Sequence, residues 1–92
     1  MERHEIYQSI DDELAYQEAH PIEFGLCHLQ SPGTKTWDWI GQMEHFTRQA
    51  KLRPDGNERL ATFRKLAAVC VAAIEQYGCP KRMGNEGELG ND

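Results

Sequence analysis

Residues 55–80 read DGNERLATFRKLAAVCVAAIEQYGCP, and the fold turns on this stretch. Leu60, Phe63, Ala67, Cys70, Ile74 and Tyr77 recur at steps of three and four, with Leu66 and Ala73 widening the stripe. That is the period of a helix, since a strand alternates every second residue. With Asp55 as the N-cap, Glu58 falls at the third helical position and completes a capping box. Gly78 stands where a left-handed residue closes a helix, and Pro80 forbids continuation. Start, period and stop agree on a helix over residues 57–77.

Upstream, the linker Leu52-Arg53-Pro54-Asp55-Gly56 is too short to carry the chain far. The helix that precedes it must therefore turn back as the first arm of an antiparallel hairpin. That arm covers about residues 36–51, after the turn signal Ser31-Pro32-Gly33. Its stripe is Trp39, Met43, Phe46 and Ala50, with Ile40 beside it and Trp37 near the start. A first helix, about residues 3–19, places Ile6, Ile10 and Leu14 at four-residue steps, flanked by Tyr7 and Tyr16. Gln8, Asp11, Asp12, Glu13, Gln17 and Glu18 form its solvated side. His20-Pro21 ends it, because a residue before proline is pushed out of the helical region.

The interval 21–35 is a long loop for a compact domain, and Phe24, Leu26 and Leu29 need burial. A short helical turn or an extended piece is expected there. Residues 83–92, with Gly, Asn and Glu and one Leu, read as a disordered tail. The expected architecture is all-α: three main helices in a single domain over residues 1–82, closing in a C-terminal antiparallel helical hairpin. A chain of 92 residues has material for one core only.

The formal charge of −5 repels phosphate backbones and argues against general nucleic-acid binding, while suiting a basic surface on another protein. No apolar run is long enough to span a membrane, and the charged start Met1-Glu2-Arg3-His4-Glu5 has no secretory signal pattern. Cys27, Cys70 and Cys79 are odd in number and lack paired spacing, which indicates free thiols in a reducing compartment. A cytoplasmic setting is expected.

The block Phe63-Arg64-Lys65-Leu66-Ala67-Ala68 through Glu75-Gln76-Tyr77-Gly78-Cys79-Pro80-Lys81-Arg82 resembles the closing helix of small MazG-like proteins of bacteriophages and prophages. The opening Glu5-Ile6-Tyr7, with Asp12-Glu13 and Tyr16-Gln17 downstream, is similar to the start of the same proteins. The resemblance implies an all-α helical hairpin assembled as a dimer or tetramer, in the cytoplasm of a host bacterium. It also implies, for members with activity, Mg²⁺-dependent hydrolysis of nucleoside triphosphates to monophosphate and pyrophosphate. Those members hold the metal with carboxylates spaced Glu-x-x-Glu and Glu-x-x-Asp on two facing helices, so that several oxygens converge on one hard cation. Here the helix of Trp39 offers only Asp38 and Glu44, six apart, and position 41 is glycine. Glu58 and Glu75 are followed three on by Ala61 and Gly78. The matching positions supply no metal cage, so no cofactor, metal ligand or catalytic residue is assigned.

Other residues are candidates for binding. Asp11, Asp12, Glu13 and Glu18 form the densest carboxylate cluster, an acidic docking face or simply a solvated helix side. Arg64-Lys65 could hold an anion, with solvated charge as the plain alternative. His20, His28 and His45 with Cys27 lack the ligand spacing of a structural zinc site. Trp37 and Trp39, two apart, point about 200° away from each other on a helix. Only one can lie in the core. The stripe claims Trp39, which leaves Trp37, with Glu44 near it, for a contact surface, with packing at the long loop as the plain alternative.

The function expected is that of a non-catalytic, phage-type accessory protein that binds a host protein of defence or regulation through an acidic and aromatic helical surface. The alternative is a MazG-like pyrophosphohydrolase. The apolar arc of the last helix is wider than one neighbour can cover, so a homodimer is also expected, with that helix near the interface.

Overall fold

Proline and glycine punctuate this chain near positions 21, 32, 54 and 78, and helices fill the intervals between them. The computed structural model describes residues 1–82, so the tail expected over 83–92 lies outside the described residues. The elements are α1 (Arg3–Ala19), α2 (Leu26–Leu29), α3 (Thr36–Leu52) and α4 (Asn57–Tyr77), with no strand among the described residues. None of these helices is long and apolar enough to cross a membrane.

The helix ends follow local chemistry. Asp38 closes the first turn of α3 by accepting the Lys35 N–H at 2.8 Å. Glu5 does the same for Glu2 at 3.3 Å in α1. The capping box expected at Asp55 and Glu58 does not form. The N-cap of α4 is Gly56, at φ 111°, and no side chain caps it. Asp55 is one residue too early; its carboxylate takes the Gly56 N–H at 2.9 Å and faces Arg59 at 3.6 Å. At the other end Gly78 does stop the helix, but at φ 106° and ψ 163°, an extended geometry open to glycine rather than the left-handed turn.

α3 and α4 run antiparallel, pinned at both ends. Arg59 donates to the carbonyls of Ala50 at 3.0 Å and Arg53 at 2.9 Å beside the linker. At the opposite end of the hairpin, the Tyr77 hydroxyl donates to the Thr34 carbonyl at 2.8 Å. α1 packs along the other side of α4, which is thus the helix that both long neighbours share. The interval 21–35 contributes α2, and it buries Phe24, Leu26 and Leu29 under the bundle with Leu14, Trp39 and Phe46. Gln42 Nε2 donates to the Phe24 carbonyl at 3.1 Å and fastens this insert to α3.

Two faces differ from the sequence reading. In α4 the residues turned inward are Thr62, Ala68, Val69, Ala72 and Ala73, whereas Leu60, Phe63, Ile74 and Tyr77 are 42–58% exposed. A helix clasped between two others needs small side chains towards both, because the interaxial spacing follows the side chains at the contact. Alanine supplies that spacing and the bulky stripe does not. In α1 the inward face includes Glu13 and Gln17, placed by sequence on the solvated side. Both are held by polar partners on α4, so their burial leaves few groups unpaired.

Candidate functional site

A carboxylate enters a protein interior only with a partner, and Glu13 finds one across the α1–α4 contact. Its Oε1 lies 2.8 Å from Arg64 Nε, with the carboxylate 6% exposed and the arginine side chain 43% exposed. Gln17, fully buried, donates from Nε2 to Glu13 Oε2 at 3.3 Å and to the Lys65 carbonyl at 3.2 Å. Over this lock lies a shallow hollow of about 320 Å³ lined by Ser9, Asp12, Glu13, Tyr16 and Arg64. The arrangement cancels charge rather than concentrating it.

The acidic cluster of the sequence is therefore divided. Glu13 is turned inward, while Asp11, Asp12 and Glu18 are exposed on α1, with Asp12 accepting from Gln8 at 2.9 Å. Arg64, a candidate anion ligand, is already paired with Glu13 and keeps only its outer N–H groups towards solvent. Lys65 is half-buried and contributes its carbonyl to Gln17. Among the described residues no group of three or more His, Cys, Asp or Glu side chains converges as a metal site. His20 donates from Nδ1 to the Tyr16 carbonyl at 2.8 Å and stacks on the Tyr16 ring, which places it in the α1 terminus.

On α3 the two tryptophans separate as their spacing requires. Trp39 is 1% exposed in the core and Trp37 is 76% exposed. Ile40 and Glu44 share the outer side of α3 with Trp37, Ile40 being 40% exposed. Ile40 also reaches a groove of about 350 Å³ between α3 and α4, whose walls include Met43, Cys70, Ile74 and Tyr77. A second apolar groove, about 540 Å³, runs between α1 and α4 past Ile6, Ile10, Leu60, Phe63 and Ala67. The sequence carried the signal for these grooves in the three-and-four spacing of α4. Its phase points outward.

All three cysteines are free, with Cys27 and Cys79 exposed and Cys70 half-buried in the groove between α3 and α4. Burial pushes the Cys70 thiol up from its ordinary value, so less of it is thiolate in mildly alkaline buffer. Iodoacetamide followed by mass spectrometry should show Cys27 and Cys79 alkylated first and Cys70 lagging. Equal rates at all three would contradict the burial of Cys70.

No family model matches this chain, and no curated protein or solved structure shows significant similarity to it.

Proposed function

We propose that this protein acts by binding another protein, as a non-catalytic accessory protein of the phage type whose target is a host bacterial protein of defence or regulation. The exposure of Trp37 carries this reading. A tryptophan at 76% exposure is an apolar surface held in water at a free-energy cost, and tryptophan is the residue most enriched where binding energy concentrates. Glu44 extends the contact surface along α3, and the exposed Asp11, Asp12 and Glu18 of α1 suit a basic target. The likeness to small MazG-like proteins supplies the phage setting and the cytoplasm of the host as the place of action. Catalysis is not part of the reading, because the carboxylates on facing helices that a magnesium-dependent pyrophosphohydrolase uses have no counterpart among the described residues.

The test is capture from a bacterial lysate on immobilised full-length protein, run in parallel with the Trp37→Ala variant. The variant should melt at an unchanged temperature, since Trp37 makes no core contact, and should lose about thirtyfold in affinity for the captured host protein. Equal capture by both proteins would remove Trp37 from the docking surface. Mg²⁺-dependent hydrolysis of nucleoside triphosphates by the same preparation would overturn the non-catalytic reading.

A further inference from the structure

Along the outward side of α4, Leu60, Phe63, Ala67, Cys70, Ile74 and Tyr77 alternate steps of three and four residues. This is the a/d spacing by which one helix seats against another. The opposite side of α4, through Thr62, Val69 and Ala73, is already filled by α1 and α3. A helix apolar on both sides belongs in the middle of an assembly. We propose that the outward side is a homodimer interface, in which α4 packs antiparallel against α4 of a second copy about a twofold axis near Ala67 and Cys70.

Shape, charge and area each favour a second copy in that orientation. The seam is narrow at its centre, where Ala67 and Cys70 are small, and bulky at its ends. An antiparallel twofold carries Leu60 and Phe63 of one chain to the Ile74–Tyr77 end of the other, where the groove beside Ile40 receives them. By the same symmetry, Ile74 and Tyr77 of one chain reach the other's groove beside Ile6 and Ile10. Arg64 and Glu75 are eleven residues apart, three turns of helix, and so lie on the same flank of the seam. Antiparallel packing sets Arg64 of each chain beside Glu75 of the other, and the outer N–H groups of Arg64 remain for that contact. Parallel packing would instead bring Arg64 to the flank that carries Arg59. Leu60, Phe63, Val71, Ile74 and Tyr77, with Ile6 and Ile40 on the neighbouring helices, are each 38–58% exposed. At about 200 Å² for a whole large apolar side chain, they offer roughly 600 Å² per protomer, close to the roughly 800 Å² a side of a standard stable interface.

Sedimentation equilibrium on the purified full chain tests this, and its outcome is independent of any host protein. The wild type should be a dimer at tens of micromolar. Phe63→Glu should keep its helical circular dichroism, because Phe63 is 50% exposed in the protomer. Its association should fall at least about thirtyfold. Glu75→Arg, an exposed site, should weaken association about tenfold by setting like charges together in both symmetric contacts. A monomeric wild type would overturn the proposal and leave the seam to a different protein. A Phe63→Glu variant that still dimerises would overturn it by placing the interface elsewhere. Unchanged association in Glu75→Arg would overturn the antiparallel arrangement.

Discussion

Trp39→Ala should lower the melting temperature sharply and leave the protein partly unfolded at ordinary temperatures. The indole is 1% exposed and packs in the cluster that joins α2, α3 and α4. Truncating a buried tryptophan costs about 3–5 kcal/mol, against a total of about 5–15 kcal/mol for a domain. In a chain this short, that is a drop of more than about 12 °C in melting temperature. The indole Nε1 has no hydrogen-bond partner among the described residues, so the loss is one of packing alone. Trp39→Phe therefore separates the two contributions. It keeps most of the ring, removes an unpaired buried donor, and should recover the larger part of the stability lost in Trp39→Ala. Thermal melts followed by circular dichroism check both variants, and a Trp39→Phe protein as unstable as Trp39→Ala would show that the indole N–H matters after all.

The second large effect is expected at the α1–α4 lock. Arg64→Met keeps the aliphatic stem and removes the charge, which leaves the Glu13 carboxylate, 6% exposed, with the Gln17 amide at 3.3 Å as its partner. Breaking a fully buried ion pair from one side costs about 3–5 kcal/mol. Water reaches this pair through an arginine that is 43% exposed, so about 2 kcal/mol is the fitting figure. Melting at matched protein concentration should fall by about 8–16 °C. Adding Glu13→Gln to the same chain should restore part of that loss, because a neutral amide is cheaper to bury than an orphaned carboxylate. Equal melting of Arg64→Met and wild type would mean that the pair contributes nothing to the docking of α1.

The helices were legible because their ends are written in residues with fixed backbone habits. His20-Pro21 and Gly78 follow the last residues of α1 and α4 directly, and Ser31-Pro32-Gly33 falls between α2 and α3. The core of α3 was legible too, since Trp39, Phe46 and Ala50 form one stripe against polar neighbours. The phase of α4 was not. Apolar residues surround that helix, so periodicity alone cannot say which side goes in; close packing against two neighbours chose the alanines and left the bulky stripe outside. Glu13 and Gln17 were hidden for a different reason. Their burial depends on Arg64 and Lys65, some fifty residues away in sequence, and no local pattern announces a partner at that distance. The candidate surface at Trp37 needed only helical geometry, whereas the two grooves needed the packed positions of α1, α3 and α4.

Because α1 and α3 both rest on α4, the order in which the ribosome delivers them matters. α1, α2 and α3 emerge with Leu14, Phe24, Trp39 and Phe46 in search of a surface that has not yet been made. That surface is complete only when the chain through Tyr77 has been released from the exit channel, so the bundle closes after α4 has emerged rather than helix by helix. The α3–α4 hairpin, whose partners are adjacent in sequence, then assembles first, and α1 docks last by a contact spanning about fifty residues. Until that moment the nascent chain is a string of amphipathic segments, and chaperones that recognise exposed aromatic side chains have their longest opportunity on it.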